Sequence, residues 1–529
     1  MTVSDDRKYT KDFVYNLLES VKGKTLGEVD KSRQFARTQK SEKITGIAGD
    51  VVEQSVFGYS RDSRQECDIE IDGVHTELKT TGVRIPKGEL KLVRGKSGEA
   101  YNIHLAAKEG ISITGVTFEP DIQKDFQTSH FWEKSAHLLI VFYEYKSYSI
   151  VPASAYADFP IVGYCYNTFS EEERLKLQND WEIVRDYLQE IYSKYKSFDE
   201  RYEHIVGFTH RLRPRLLLIE LVPGFRRKSS GAYQKPRYRL KQTFVDYLVR
   251  GHFNKNRSDA EVALKVPFSS FGQLDDRCHM LSEKYRGKTI GELTQLFGIE
   301  AKAKDVAAKC VLKMFDAGAS RLNQISDFTK TGIIAKTVTT TPADRPTEDM
   351  KLMHVDFEEW ADRDVDFTAS EVYTYFCEHS FLFPIFCERG DMSPRKPDET
   401  RDAYRERIGK SALLTTFEGF KRLSFDEAFI DTEVRRTWDD SRTLIFRNKL
   451  EWDYVHDKDG NIRMNASGAC MGAPNFPKSS SYNVFFRGGA NASNEKTRTE
   501  VVNGIRMLPQ FVWLKGTFIT NKLNETSFL

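Results

Sequence analysis

The sequence predicts a mixed fold of helices and strands, of the α/β or α+β class, that is duplicated in tandem along the chain. Its 529 residues are too many for one ordinary domain and enough for two buried cores. Both halves alternate short β-rich runs with helical stretches, which is typical of a mixed fold. Similar segments also recur in the same order in the two halves, which indicates an internal repeat.

Five pairs of similar segments predict the duplication. Each half contains a GKT-x-GE segment, a helix-like run, a strand-like run with a Lys-Thr pair, an Asp-Phe pair followed by an apolar strand, and a closing segment of the form LK-x-TF. The pairs are 23–28 with 287–292, 48–53 with 307–312, 77–80 with 334–337, 125–144 with 366–388, and 240–244 with 514–518. Five similarities in one order favour duplication over a chance likeness between two mixed domains.

The boundary between the two copies is predicted in the polar stretch at residues 248–282. A new amphipathic helix is expected to begin around Met280. We therefore expect a first domain at residues 1–248, a linker at 249–281 and a second domain at 282–529.

Composition limits the class of protein but does not identify its partners. The formal net charge is only +2, so any nucleic-acid-binding surface must be local. The seven cysteines are scattered, with no CxxC pair and no histidine at zinc-ligand spacing, which predicts reduced thiols in a cytoplasmic protein. The N-terminus lacks a signal-like apolar stretch, and no run is long enough to cross a bilayer.

Residues 67–81 (CDIEIDGVHTELKTT) predict a β-hairpin with charged residues on one face. The Asp72-Gly73 pair favours a two-residue type I′ turn, which fixes the register of the two strands. In that register Asp68 faces Glu77 across the pair. Lys79 projects from the same face as Glu77, because side chains alternate along a strand.

This arrangement suits metal-dependent hydrolysis of a phosphodiester. Directly opposed residues have Cβ atoms roughly 4.5–5.5 Å apart, so the two carboxylates repel unless a cation lies between them. Mg²⁺ prefers such oxygen ligands, and Mn²⁺ could substitute. Lys79 could orient the attacking water, and Glu53 on the preceding helix could add a third carboxylate. The alternative is a solvated surface hairpin in which Lys79 only forms salt bridges.

The second half lacks most of this set. Leu312 stands where the first half has Glu53, and Ile334 stands where it has Glu77, whereas Lys336 matches Lys79. Acidic residues on a merely solvated surface would have no reason to be lost together. We therefore interpret Leu312, Ile334 and Lys336 as a pseudo-site, the remnant of an active site in the second copy.

Two basic segments are candidate DNA contacts. The segment 210–241 contains one acid, Glu220, among many cations, and the C-terminal segment is less basic. The candidate residues are Arg211, Arg213, Arg226, Arg227, Lys228, Lys235 and Arg237 in the first half and Arg487, Lys496 and Arg498 in the second. The alternative is an amphipathic strand pair whose arginines are only solvated.

At these residues the sequence resembles the MutH/Sau-type endonucleases, a family of repair nickases and two-domain type IIE restriction enzymes. The matching segments are 49–53 (GDVVE), 73–80 (GVHTELKT), 180–184 (DWEIV) and 487–493 (RGGANAS). In contrast to the family pattern, Cys67 rather than proline precedes Asp68, and the spacing to Glu77 is slightly longer. Asp72 therefore stays open as the metal ligand, although its place in the turn favours Asp68.

The resemblance implies a PD-(D/E)xK restriction-endonuclease-like fold with Glu53, Asp68, Glu77 and Lys79 as catalytic residues. It also implies a second, pseudo-nuclease domain that binds DNA and activates cutting at the first. The implied activity is a double-strand break at a short sequence, GATC in the relatives, leaving 5′-phosphates. The implied partner is double-stranded DNA in the bacterial cytoplasm, with two recognition sites bound at once by a monomer or a DNA-induced dimer.

A cognate DNA methyltransferase would modify the same sequence rather than bind the protein. Two other functions stay open. One is a MutH-like repair or nicking endonuclease recruited by partner proteins, and the other is a non-catalytic, sequence-specific DNA-binding protein.

Overall fold

The chain folds into two compact units. The computed structural model describes residues 7–42, 44–60, 66–85, 105–116, 124–147, 150–206, 211–226, 233–253, 261–302, 305–346, 348–466, 468–489, 494 and 496–529. The first unit comprises Met1–Leu274 together with Gln324–Ile333, and the second comprises Asp275–Asn323 and Ile334–Leu529.

The helices have the following bounds in chain order: α1 Lys11–Val21, α2 Leu26–Val29, α3 Ile47–Val51, α4 His130–Ser135, α5 Glu171–Lys194, α6 Phe198–Val206, α7 Gln242–Phe253, α8 Phe271–Tyr285, α9 Ile290–Phe297, α10 Val306–Met314, α11 Ser326–Thr331, α12 Phe357–Trp360, α13 Glu371–Glu378, α14 Arg401–Leu413, α15 Glu427–Phe429, α16 Arg435–Phe446 and α17 Gly516–Asn524.

The strands have the following bounds: β1 Lys8–Tyr9, β2 Ile69–Ile71, β3 Val74–Arg84, β4 Ala106–Ala107, β5 Ile111–Gly115, β6 His137–Glu144, β7 Ile161–Thr168, β8 Ile219–Val222, β9 Phe225–Arg226, β10 Tyr233–Gln234, β11 Arg237–Leu240, β12 Ile333–Ala335, β13 Val338–Thr340, β14 Met350–His354, β15 Ser380–Cys387, β16 Thr416–Leu423, β17 Trp452–Tyr454, β18 Gly472–Pro474, β19 Val484–Gly488, β20 Glu500–Val502, β21 Ile505–Met507 and β22 Gln510–Leu514.

The observed division differs from the boundaries expected from the sequence. The stretch proposed as a linker contains the end of α7 and most of α8, and the first unit extends to Leu274 within α8. The stretch is polar on average, yet it buries Leu264, Phe268, Phe271 and Leu274. The average hydropathy of the segment does not reveal such buried positions, because a helix needs apolar residues on only one of its faces.

The main sheet of the first unit has the order β1-β2-β3-β6-β7, with β4 also paired to β3. The long strand β3 runs parallel to β6, and β7 is antiparallel to β6. Residues 138–143 of β6 are all buried, as expected for a central strand that is covered on both faces. A second sheet has the order β5-β11-β8.

The second unit repeats this order of elements. Its central strand β15 is buried throughout and pairs with the antiparallel strand β16, so β12 and β13 share the other edge. Together they take the position along β15 that β3 takes along β6. The unit has a second sheet of order β14-β22-β19. Its central strand β22 is antiparallel to both neighbours, as β11 is in the sheet β5-β11-β8 of the first unit. Among the described residues the main sheets of the two units differ in two ways. The strand β3 is continuous whereas β12 and β13 are separate, and the four-stranded sheet of the second unit has no counterparts of β1, β2 and β4.

Local features of the two units also correspond. Thr25 with Glu28 forms a capping box at α2, and Thr289 with Glu292 forms one at α9. In both units a left-handed glycine, Gly23 or Gly287, precedes the cap. These glycines need φ near +80°, which other residues adopt only with strain. Both GKT-x-GE segments therefore begin short capped helices.

None of the helices in the described part of the chain is long and apolar enough to span a lipid bilayer.

Candidate active site

The hairpin that carries the candidate site has the register expected from the sequence. Asp72 and Gly73 both have positive φ, +48° and +81°, as a type I′ turn requires. The paired residues are Ile69 with Thr76, Glu70 with His75 and Ile71 with Val74. The predicted register is therefore confirmed, and Asp68 lies directly before the first paired residue, beside Glu77 on the opposite strand.

Asp68 and Glu77 are held by different contacts. One carboxylate oxygen of Asp68 accepts a hydrogen bond from the Leu78 N–H at 2.9 Å. Glu77 is only 4% exposed, and its two oxygens accept hydrogen bonds from the amines of Lys79 at 2.7 Å and Lys134 at 2.9 Å. Glu77 is therefore not part of a solvated face.

The other acids of the hairpin have other partners. Glu70 is paired across the hairpin with His75 and forms a salt bridge with Lys8 at 3.4 Å. Asp72 accepts a hydrogen bond from the Lys11 N–H at the start of α1, at 3.3 Å. These contacts favour Asp68 over Asp72 as the partner of Glu77.

Glu53 reaches the same strand from the helix that precedes the hairpin. It lies in a π-helical turn, Val52–Val56, which directly follows α3. A Cβ built on Gly49 would lie 3.5 Å from the Thr80 hydroxyl and 3.9 Å from Oε1 of Glu53. The missing side chain at Gly49 thus leaves room between the helix and β3, and the Glu53 carboxylate borders that space.

The electrostatics of the site show that its carboxylates are close enough to perturb one another. Burial, and then the charges of Asp68 and Asp50, raises the pKa of Glu53 to about 7. Burial and the charge of Glu77 raise the pKa of Asp68, although Lys79 opposes the shift. Burial would lower the pKa of Lys79, but the charges of Glu77 and Asp68 outweigh it and raise that pKa.

These residues fit a divalent cation such as Mg²⁺. The donors are hard carboxylate oxygens, and the raised pKa values of Glu53 and Asp68 report a surplus of negative charge that a cation would relieve. In the described part of the chain, no three acidic, histidine or cysteine side chains already form a ligand cluster. Instead, Lys79 and Lys134 hold both oxygens of Glu77.

Lys134 was not predicted from the sequence. It lies on α4, it is 6% exposed, and its amine also donates to the Glu66 carbonyl. The only signal in the sequence is a lone lysine next to the apolar run that becomes β6. Such a lysine is usually solvated, and only the packing of α4 against β3 brings it to Glu77.

The corresponding position in the second unit has no acids. Leu312 is 4% exposed, and Ile334 packs against the hydrophobic core of that unit. The Lys336 amine donates to the Lys351 carbonyl rather than to a carboxylate. Among the described residues Lys336 thus forms no salt bridge with an acid, and the charge of Glu348 is the acidic influence on its pKa.

The candidate DNA contacts have mixed environments. Arg211, Lys235, Arg237 and Lys496 are exposed, whereas Arg213 is half-buried. Arg487 forms a salt bridge with Asp349 at 2.6 Å, and Arg498 lies over the Trp452 ring. Lys496 and Arg498, with Arg506, line an open cavity of about 720 Å³. Arg227, Lys228 and the side chain of Arg226 lie outside the described residues.

Two comparisons with known proteins agree with this geometry. Residues 57–180 match the family model of the DNA mismatch repair enzyme MutH, and this range contains Asp68, Glu77, Lys79 and Lys134. The chain is also 22% identical to the type II restriction enzyme Sau3AI of Staphylococcus aureus, over 98% of this chain and 99% of that protein. The family match and the similarity over nearly the whole length support the predicted assignment of the chain to the MutH/Sau-type restriction endonuclease family.

Proposed function

We propose that the chain is a type II restriction endonuclease that makes metal-dependent double-strand breaks at a short DNA sequence. The observation that carries the proposal is the buried carboxylate of Glu77, held by Lys79 and Lys134 next to Asp68. In phosphodiester hydrolysis such a carboxylate can bind the cation, and the neighbouring amines can contact the phosphate oxygens and the attacking water. Similarity to a restriction enzyme over the whole chain supports the same activity.

In this proposal Asp68, Glu77 and Glu53 hold Mg²⁺, for which Mn²⁺ could substitute. The bound cation would polarise the scissile phosphate and lower the pKa of a bound water. Lys79 orients the attacking water and stabilises the negative charge that grows on the phosphate. Lys134 fixes the rotamer of Glu77 from the side opposite Lys79. Hydrolysis would leave 5′-phosphate ends.

We further propose that the second unit is a duplicated pseudo-nuclease domain that binds DNA without cutting it, as in type IIE enzymes. The repeated element order and the two capping boxes support the duplication. The loss of acids at Leu312 and Ile334 supports the absence of cutting. The sequence GATC is the first recognition site to test.

Digestion of unmethylated plasmid by pure protein and Mg²⁺ tests the proposal. Glu77→Ala should abolish cleavage and keep DNA binding, because the lost group acts on the metal rather than on base edges. Glu70→Ala is the matched control, since Glu70 is an acid of the same hairpin that pairs with Lys8 and lies across from His75 rather than Glu77. Cleavage by the Glu77 variant would refute the assignment, and sequencing of the fragment ends would identify the site.

A second candidate is a repair-type nicking endonuclease. The match of residues 57–180 to a mismatch repair enzyme favours it. The same digestion distinguishes the two, because a plasmid that is nicked and never linearised would support nicking. No cleavage of any unmethylated DNA with Mg²⁺ or Mn²⁺ would instead indicate a non-catalytic DNA-binding protein.

A further inference from the structure

The second unit contains a cavity of about 250 Å³ at the retained lysine of the pseudo-site. Its lining includes Lys336, Lys351, Glu348, Asp349, Trp513 and Thr520. The cavity thus combines two amines with two carboxylates. The kind of ligand that the cavity can bind depends on which of these charged groups already have a partner of opposite charge.

In the described part of the chain neither amine forms a salt bridge with a carboxylate, although the charge of Glu348 partly opposes the lowering of the Lys336 pKa. Lys336 donates to the Lys351 carbonyl, and the Lys351 amine lies 3.2 Å from the centre of the Phe511 ring. In the first unit, by contrast, Lys79 is bound to Glu77. Burial lowers the pKa of both Lys336 and Lys351, which indicates that neither amine is fully hydrated.

One of the two carboxylates is already occupied. Asp349 accepts hydrogen bonds from Arg487 at 2.6 Å and from the Gly516 N–H at 2.9 Å, so it caps α17 and balances the arginine. Glu348 is exposed and is the remaining acid of the lining. Two amines therefore face one exposed carboxylate, and this excess of positive charge favours an anion.

We propose that this cavity binds a phosphate group of the DNA backbone directly, through Lys336 and Lys351 and without a divalent cation. The inference rests on the proposed DNA binding by the second unit. Phosphate oxygens accept charge-assisted hydrogen bonds from ammonium groups. The positions that match the acids of the first unit hold Leu312 and Ile334, so they provide neither metal ligands nor carboxylates that would repel a phosphate. A metal-dependent site would thereby have become a direct phosphate contact.

The salt dependence of DNA binding by the full-length chain tests the proposal. Affinity for a duplex with the recognition sequence is measured in EDTA at several salt concentrations. Lys336→Met should weaken binding by about tenfold and reduce the slope of log K against log salt by about 0.9, the value for one phosphate contact. Lys336→Arg, which keeps the charge, should retain the slope. Lys313→Met, which removes an exposed lysine of the same unit, is the matched control.

Four further outcomes decide the matter. Glu348→Gln should strengthen binding, because it removes the competing carboxylate. An unchanged affinity and slope in Lys336→Met, in a wild type that binds and cuts DNA, would overturn this inference and leave the proposed function intact. In another outcome inorganic phosphate protects the wild type, but not Lys336→Met, from thermal unfolding while the slope of log K against log salt for DNA binding is the same in both. That result would assign the cavity to free phosphate and overturn the DNA contact. Absence of DNA binding by the wild type would overturn both.

Discussion

Glu77 is buried, yet each of its oxygens has an amine partner, one from its own strand and one from α4. A buried carboxylate is costly unless it is paired and hydrogen-bonded, and Lys79 and Lys134 provide both kinds of contact. With Asp68 and Glu53 nearby, the three acids exceed the two amines. The residual negative charge attracts a cation, and the amines remain as donors for phosphate oxygens.

Removal of the Lys134 amine should reduce cleavage more than it reduces DNA binding. Lys134→Met keeps most of the apolar stem but leaves one oxygen of the buried Glu77 without its donor. We expect the rate of plasmid cleavage to fall by at least about tenfold, with DNA affinity in EDTA nearly unchanged. Lys134→Arg should restore part of the rate. A rate equal to wild type in Lys134→Met would contradict the positioning role.

Asp180 should make stability depend on pH. It is fully buried on α5 and accepts hydrogen bonds from the Leu217, Leu218 and Ile219 N–H groups, yet burial raises its pKa to about 6. The folded chain therefore holds a proton between about pH 4 and pH 6 that the unfolded chain has lost. The stability of the wild type relative to Asp180→Asn should fall as pH rises through this window.

Urea unfolding at several pH values measures this difference. Asp186→Asn, an exposed acid of the same helix, controls for the general loss of one negative charge. A wild-type advantage that stayed constant across the window would show that Asp180 does not titrate there.

Local rules predicted part of the candidate site and not the rest. Asp68, Glu77 and Lys79 are brought together by a two-residue turn and strand alternation, so their common face could be derived from the sequence. Lys134 and the anchoring of Asp180 depend on contacts between distant segments, for which a single sequence provides no rule. The sequence already favoured Asp68 over Asp72 as the metal ligand because Asp72 lies in the turn, and the hydrogen bond from the Lys11 N–H to Asp72 adds a distant contact in favour of the same prediction.

Among the elements, α11 shows why the predicted boundaries failed. Its sequence lies well inside the second half, but it belongs to the first unit. Asp327 on α11 accepts a hydrogen bond from the Leu264 N–H at 2.9 Å and lies 3.5 Å from the buried Lys176 amine on α5. Lys330, one turn later, pairs with Glu172 at 2.9 Å. This cluster of buried charges fixes α11 to the first unit.

Asp327→Ala should destabilise the first unit by about 3 kcal/mol, because it leaves a buried amine with one acid fewer and a buried N–H without an acceptor. Urea unfolding of the full chain measures the loss. Asp186→Ala is the control, since an exposed acid of α5 should cost less than about 0.5 kcal/mol. Equal losses in the two variants would mean that the cluster adds no stability.

The elements that were predicted from sequence are those set by short-range patterns. The hairpin register and the capped GKT-x-GE helices follow from turn and cap residues. The break between β12 and β13 has no such signal, because Lys336 and Thr337 would fit a continuous strand. The assignment of α11 to the first unit likewise depends on tertiary contacts.

At the scale of the whole chain, the proposed roles of the two units rest on the distribution of their charged residues. The first unit keeps three acids and two amines in one site, whereas the second keeps an amine and loses the acids. A net charge of +2 provides little overall attraction for DNA. Binding must therefore come from local basic surfaces, and the cavity lined by Lys496, Arg498 and Arg506 in the second unit is a candidate.

If both units bind DNA, a plasmid with two recognition sites should be linearised faster than a plasmid with one. Once the second unit holds one site, the other site on the same DNA is present at a high effective concentration for the first unit, and we expect a rate difference of about tenfold. The double variant Lys496→Ala with Arg506→Ala should remove the difference and leave slow cutting of the one-site plasmid, because the candidate catalytic residues are untouched. Arg395→Ala, at an exposed arginine outside that cavity, is the control. Equal rates on the two plasmids would mean that the second unit does not contribute a DNA site to cleavage.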